Sequence, residues 1–372
     1  MKFKVIIIGF LLLLLPAGSA YADGNRAKSG TQKIERSIAV LPTVAVSLCV
    51  DSGDVTVRGW DKNEVLARSS EVGRIELKSP GTGMGGPGGA AKVMVWLADK
   101  NEGMEEKSGC HAFGDVQLMV PRGASVYLQT GDGTIDVGEV ASVFARSETG
   151  YISIKKAARS IEAVSFSGEI AVDDSTGRMT MKSVSGMVSA ANLRPNDQND
   201  CFEASTISGD ILLENVRHQS VTVKTANGKI DLSGPLARQG QYMFNTTSSD
   251  ITLSLPSDAS FRLNARVARD REITSDFPLN LTIEDPVPVM PKKPNPMVAP
   301  VPETQPLPKA AGESKAPVIV VVDPQDKVIK VKPVVVKTMY SLRRINAVHG
   351  SGDALITIAS FSGTIHLIDS GN

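Results

Sequence analysis

The stretch Ser165-Phe166-Ser167-Gly168-Glu169-Ile170-Ala171-Val172 shows the unit that decides the fold, Ser/Thr-x-Ser/Thr/Asn-Gly-x-Ile/Val-x-apolar. The pattern recurs at Ser147–Ile154, Ser183–Ala190, Thr206–Leu213, Thr225–Leu232, Thr246–Leu253 (Ser249 replacing Gly) and Ser360–Leu367, and more loosely at Thr130–Val137. Turn residues at 133, 150, 168, 186, 209, 228 and 249 are 17 to 23 residues apart. A regular period of about 20 residues is typical of stacked coils that cannot bury their apolar faces alone. The sequence therefore predicts an all-β protein, a single-chain β-solenoid of parallel β-helix-like coils with two main strands per coil.

Period-two alternation within each unit assigns the two faces of the strands. Ile161, Ala163, Ile170 and Val172 are predicted to point inward, as are the equivalent residues of the other units. The first hydroxyl of each unit should bond the backbone in a tight corner, where the nearby Gly or Asn would supply a positive φ. Eight copies in register, with no accompanying His, favour this turn role over a nucleophilic one. The hydroxyls are Thr130, Ser147, Ser165, Ser183, Thr206, Thr225, Thr246 and Ser360.

The chain divides into five segments. Residues 1–22 are predicted to be a signal peptide, because two lysines precede an 11-residue apolar run, Val5–Leu15, and Ala20-Tyr21-Ala22 fits a cleavage site. A flexible N-terminus at 23–43, a solenoid domain at 44–284, a Pro-rich insertion at 285–339 and terminal solenoid coils at 340–372 follow. The insertion holds most of the prolines, 12 of 21 between Pro286 and Pro333, and a Val-rich hairpin is predicted near its end.

Composition narrows the class of protein. Loss of two signal-peptide lysines from 40 basic residues leaves 38 against 40 acidic ones, a net charge of −2, which argues against a nucleic-acid partner. No segment is long enough to be a transmembrane span of the mature chain. Three cysteines leave two alternatives open: a Cys49–Cys110 pair with Cys201 free, or three unpaired thiols. The oligomeric state is not indicated.

Several motifs together resemble the bacterial putative-adhesin family, an exported β-solenoid domain of largely unknown function. The first is Ser52-Gly53-Asp54-Val55-Thr56-Val57-Arg58-Gly59-Trp60-Asp61, and the recurring Ser-Gly-x-Ile units are the second. Thr274-Ser275-Asp276-Phe277-Pro278-Leu279, Gly350-Ser351-Gly352-Asp353 and Ser360-Phe361-Ser362-Gly363-Thr364-Ile365 complete the resemblance, which covers residues 44–284 and 340–368. It implies no catalytic residues.

No catalytic, cofactor-binding or metal-binding residues are predicted. The outward positions of the second strand, Ser153, Ala171, Ser189, Leu212, Asp231 and Thr252, form no acidic column that could supply an acid and a base or hold calcium. Asp173-Asp174 is expected at a solvated corner. His111, His218, His349 and His366 lack metal-ligand spacing. We therefore do not expect an enzyme.

The outer face of the first strand is more suggestive of a site. Arg146, Lys182 and Lys224 should line one column, about 9–10 Å apart at two-coil intervals. This cationic stripe could bind an anionic glycan or surface polymer. The alternative is a solvated face whose charges discourage sheet association.

The sequence favours a non-enzymatic exported protein for adhesion or cell-envelope interaction, located in the periplasm or at the cell surface, with an envelope polysaccharide or envelope protein as partner. One alternative is a periplasmic accessory or sensor subunit that binds a protein partner. A second alternative is a polysaccharide-active β-helix enzyme.

Overall fold

The computed structural model describes residues 33–70, 72–80, 89–98, 110, 113–268, 270–284 and 342–371. Every regular element within these ranges is a β-strand. In chain order the strands are β1 (Ile34–Ser52), β2 (Val55–Trp60), β3 (Glu64–Ser69), β4 (Arg74–Lys78), β5 (Ala90–Ala98), β6 (Val116–Pro121), β7 (Ser125–Asp132), β8 (Ile135–Gly138), β9 (Ser142–Ser147), β10 (Ile152–Lys155), β11 (Ser160–Ser165), β12 (Ile170–Asp173), β13 (Arg178–Ser183), β14 (Val188–Ala191), β15 (Cys201–Ser205), β16 (Ile211–Glu214), β17 (Ser220–Lys224), β18 (Ile230–Ser233), β19 (Gln241–Thr246), β20 (Ile251–Leu255), β21 (Phe261–Ala268), β22 (Ile273–Ser275), β23 (Asn280–Glu284), β24 (Leu342–His349), β25 (Ala354–Ser360) and β26 (Ile365–Asp369).

The strands form a two-sided stack of coils. In sheet I, the odd-numbered strands from β7 to β19 pair in parallel with their neighbours, and in sheet II the even-numbered strands from β8 to β20 do the same. Each coil contributes one strand to each sheet, and equivalent residues of successive units lie side by side, such as Ile152 beside Ile170. The prediction of a β-solenoid with two main strands per coil is confirmed.

The chain order of the coils changes at both ends of the stack. Near the C-terminus, β25 lies between β19 and β21, and β26 lies between β20 and β22. The last coil of the sequence therefore sits inside the stack, and an earlier coil lies outside it. Near the N-terminus, β1 lies between β5 and β7, and β2 lies between β6 and β8.

One predicted segment boundary that falls within the described residues differs from the structure. Residues 34–43, assigned to a flexible N-terminus, belong to β1, whose first part pairs antiparallel with β3. The predicted signal peptide and the Pro-rich insertion with its Val-rich hairpin lie outside the described residues. Within those residues, no helix is long and apolar enough to cross a membrane.

The core lies between the two sheets and is built from the predicted inward positions. Phe202, Phe244 and Tyr242 from sheet I, with Ile170 and Ile211 from sheet II, are almost completely buried. A fully buried side chain of this size contributes about 1.5–3 kcal/mol. Because the apolar layers continue from coil to coil, this contribution depends on the stacking.

The turn that joins sheet I to sheet II has its predicted hydroxyl ladder. The backbone N–H of Gly168 donates to Ser165 Oγ at 2.8 Å, and Gly150 and Gly363 bond Ser147 and Ser360 in the same way. The other turns use the hydroxyl as a donor to a neighbouring carbonyl, except that Thr246 Oγ1 has no partner within the described structure. These hydroxyls therefore serve the turn.

The glycines of this turn have a different role from the predicted one. Gly133 has a positive φ of 128°, but Gly150, Gly168, Gly186, Gly209, Gly228 and Gly363 do not adopt the left-handed region. A Cβ on Gly168 would lie 1.8 Å from the carbonyl oxygen of Gly150 in the preceding coil. Glycine is required because the coils approach too closely for a side chain.

Positive φ angles occur instead at the opposite corner, directly after the strands of sheet II. The residues are Glu139, Lys156, Asp174, Asn192, Asn215 and Gly234, one in each of six successive coils. Asp174 confirms the corner predicted for Asp173-Asp174. A directed series of hydrogen bonds runs along this corner, from Asn215 Nδ2 to Asn192 Oδ1 at 3.0 Å and from Asn192 Nδ2 to Asp173 Oδ1 at 3.3 Å.

A disulfide joins Cys49 in β1 to Cys110, with their Cα atoms 5.1 Å apart. Cys201 at the start of β15 is free and half-buried. Of the two alternatives left open by the sequence, the structure supports the single pair.

Candidate functional site

The cationic stripe lies on the outer face of sheet I. Register places Arg146 beside Val164, Val164 beside Lys182, Lys182 beside Ser205, and Ser205 beside Lys224. The three cations thus occupy alternate strands, β9, β13 and β17, of one column. All three are exposed, and within the part of the chain that the structure describes none of them forms an ion pair.

A second column on the same outer face flanks the stripe, two residues earlier in each strand. It reads Phe144, Glu162, Thr180, Glu203, Thr222 and Met243 from β9 to β19. Its two carboxylates stand on β11 and β15, the strands that carry no cation in the stripe. The face therefore alternates cationic and acidic coils.

The stripe continues toward the C-terminal end of the stack, where sequence reasoning missed two residues. From Lys224 the column runs through Asn245 and Ala359 to Arg266 and then Arg344. Both arginines are exposed. They could not be assigned to the column from the sequence, because their place depends on the insertion of β25 and on the antiparallel pairing of β24.

Aromatic side chains lie at the other end of the stripe. Tyr127 of β7 and Phe144 of β9 occupy neighbouring positions of the flanking column and are 51% and 36% exposed. Their ring centroids are 6.1 Å apart. Exposed rings beside a polar face are suited to contact the apolar face of a sugar or a planar group.

The outer face of sheet II carries a shallow depression of about 110 Å³. Small side chains, Ala171, Ser189 and Ala191, form its floor, and Lys155 of β10 faces Glu214 of β16 across it. The predicted outward positions of the second strand do line up on this face. Those positions supply one carboxylate, Asp231. The adjoining column of the depression's lining carries two, Asp173 and Glu214, with Ala191 between them.

The described histidines have structural partners. Buried His218 shares a 2.7 Å hydrogen bond with the carbonyl of Gly177 through Nε2, and burial lowers its pKa. His349 packs against Phe261 and Phe277, and His366 Nδ1 lies 2.8 Å from Thr274 Oγ1. His111 lies outside the described residues. Across the described ranges, no three His, Cys, Asp or Glu side chains are grouped so that they could hold a metal ion.

These features define a β-solenoid with an extended, charged outer face. Residues 101–277 match the model of the Toastrack DUF4097 family. The resemblance to a putative-adhesin family of unknown function is thereby confirmed.

The chain matches the solved structure of a putative cell adhesion protein from Clostridium sporogenes, with 9% sequence identity and a TM-score of 0.18. The match covers 91% of this chain and 100% of that chain. Likeness at this level transfers no function. No curated protein matches the chain.

Proposed function

We propose that this protein is an exported, non-enzymatic β-solenoid that binds an anionic polymer of the cell envelope through the outer face of sheet I. The observation that carries the proposal is the cationic stripe, Arg146, Lys182 and Lys224, in one strand register. Exposed cations on a rigid face keep their charge available to a ligand, because no carboxylate among the described residues forms an ion pair with them. Attraction of this kind is screened by salt over a Debye length of about 8 Å at physiological ionic strength.

Two features support export to the periplasm or the cell surface. The first 22 residues have the charged start, apolar run and cleavage site of a signal peptide. The Cys49–Cys110 disulfide is a bond that persists in oxidising compartments and is rare in the cytosol.

The proposal of a non-enzymatic role rests on the structural contacts that the polar residues of the coils make. The repeated Ser and Thr hydroxyls hold the turn backbone, as at Ser165 and Gly168. The buried imidazole of His218 is directed at a backbone carbonyl. Hydroxyls and imidazoles used in this way contribute to the fold.

A second candidate function, an accessory or sensor subunit that binds a protein partner, is favoured by a separate observation. Phe166, Val184 and Ile207 lie on successive coils at the turn between the sheets, linked by backbone bonds such as Ile207 N to Val184 O at 3.2 Å. Phe166 and Ile207 are 62% and 55% exposed. An exposed apolar ridge of this kind is typical of protein–protein contact sites.

The test is a binding titration of the purified mature chain against isolated envelope polysaccharide, by calorimetry at several salt concentrations. A triple variant, R146Q/K182Q/K224Q, should lose about 3- to 150-fold in affinity, since each exposed charge contact contributes about 0.2–1 kcal/mol.

The matched control is K155Q/R159Q/K229Q, which removes the same charge from exposed positions outside the stripe. We expect the control variant to bind as the wild type does. Equal affinity of the two triple variants would contradict the proposal, and loss of binding only when Phe166 and Ile207 are replaced would support the protein-partner alternative.

A further inference from the structure

We infer that the ligand of the stripe is a linear acidic polysaccharide with one carboxylate on every second sugar, a refinement that rests on the proposed function. The basis is the alternation of charge along the outer face of sheet I. Three features of that face bear on the ligand: the spacing of the cations, the position of the acids between them and the aromatic pair at one end.

The spacing sets the repeat of the ligand. Neighbouring strands are about 4.8 Å apart, so cations on alternate strands are about 9.6 Å apart, and Arg146 to Lys224 spans about 19 Å. A pyranose ring in an extended, equatorially linked chain advances by close to one strand spacing. Two sugars therefore match two coils, and a carboxylate on every second sugar meets a cation each time.

The strands between the cations select against a negative charge on the ligand at the intermediate positions. Glu162 on β11 is half a period from Arg146 and Lys182, and Glu203 on β15 is half a period from Lys182 and Lys224. Both glutamates lie in the flanking column. The next position of that column is one coil away, a separation shorter than a Debye length. A polymer with a carboxylate on every sugar would place like charges beside both glutamates.

The intermediate positions of the stripe itself are uncharged. Val164 and Ser205 lie between the cations, and the flanking column carries Thr180 and Thr222 beside Lys182 and Lys224. A neutral sugar can rest on Val164 and Ser205 with its hydroxyl groups near these threonines. These uncharged positions offer no positive charge to pair with a second carboxylate.

The aromatic pair, Tyr127 and Phe144, lies at the Arg146 end and supplies an apolar contact for a sugar ring. The partly exposed thiol of Cys201 lies on the same outer face, four residues from Ser205 along β15. Its rate of alkylation can therefore report whether a ligand covers sheet I.

The experiment compares two oligosaccharide series of equal sugar number on the mature protein. Hyaluronan oligosaccharides carry one carboxylate per disaccharide, and β-1,4-linked oligomannuronates, which are also equatorially linked, carry one per sugar. We expect the wild type to bind the hyaluronan series more tightly, by about fivefold or more, and bound hyaluronan to slow alkylation of Cys201.

The deciding variant is E162Q/E203Q, which removes the intermediate acids and leaves the stripe intact. It should raise affinity for oligomannuronate by about 2- to 30-fold while changing hyaluronan binding much less. A double variant of acids on the outer face of sheet II, E214Q/D231N, serves as the control and should leave the preference unchanged.

The outcomes separate the two levels of the proposal. Equal affinity for both series, or a preference unaltered by E162Q/E203Q, overturns the alternating-charge ligand while the anion-binding face stands. No binding of either series, together with no effect of R146Q/K182Q/K224Q on envelope polysaccharide, overturns both.

Discussion

Replacement of Gly168 by alanine tests whether the close approach of successive coils, and not φ, requires glycine in the turn ladder. The added Cβ at this position would lie 1.8 Å from the carbonyl oxygen of Gly150 and 2.8 Å from Ser165 Oγ. Non-bonded heavy atoms are at their best separation near 3.5 Å, so the two coils would have to move apart by about 1.5 Å or more at this corner.

Such a displacement acts on the backbone hydrogen bonds that join the coils there. Phe166 N donates to Ser147 O at 3.1 Å, and Ser167 N donates to Glu148 O at 2.8 Å. The bond from Gly168 N to Ser165 Oγ is the third within reach of the clash. With a net contribution of about 1 kcal/mol for each bond, we expect a loss of about 3 kcal/mol in the free energy of unfolding.

The assay is urea unfolding followed by far-UV circular dichroism, with the melting temperature as a second measure. Gly138→Ala is the matched control, because this glycine also lacks a positive φ but its Cβ would meet only the Arg58 side chain at 3.4 Å or more. We expect the control to change stability by less than about 1 kcal/mol. A Gly168→Ala variant as stable as Gly138→Ala would refute the close-approach explanation.

Three further predictions concern the core, the pH dependence and the disulfide. Ile211→Asp should lower the free energy of unfolding by about 4 kcal/mol or more in urea titrations, because it buries an unpaired carboxylate. Asp210→Asn in the preceding turn should be nearly neutral, because its amide oxygen can still accept the hydrogen bond from the Lys229 backbone N–H. Burial holds the folded-state pKa of His218 below the ordinary 6.5, so the unfolded chain binds its proton more readily; the melting temperature should fall as pH drops from 7.5 to 5.5, and less so in His218→Phe. Cys49→Ser should cost about 2–4 kcal/mol and make the melting temperature insensitive to reductant, whereas Cys201→Ser should do neither.

The sequence predicted the coil architecture because its signal is local. A two-residue alternation such as Ile170 to Val172 fixes which side of a strand faces the core, and a turn at a regular interval fixes the coil length. The same local logic placed Arg146, Lys182 and Lys224 in one column, and the register confirms that alignment.

The features that the sequence could not predict are those that depend on which coils are neighbours in the stack. The repeated units share one sequence pattern, and the position of β26 between β20 and β22 joins residues that are far apart in the sequence. The extension of the cationic column to Arg266 and Arg344 follows from that order. The reason for glycine at position 168 could not be predicted either. The carbonyl that excludes a side chain there belongs to another coil and is not part of the local turn pattern.

The position of the chain ends within the stack has a mechanical consequence. If the last strand were outermost, a pull on the C-terminus would peel it away one hydrogen bond at a time. Instead β26 is held by β20 on one side and β22 on the other, and at the N-terminal end residues 45–48 of β1 are held by β5 and β7. Tension applied at the C-terminal end therefore loads both ladders of β26 together, whereas at the N-terminal end residues 34–39 of β1 pair with β3 alone and separate first.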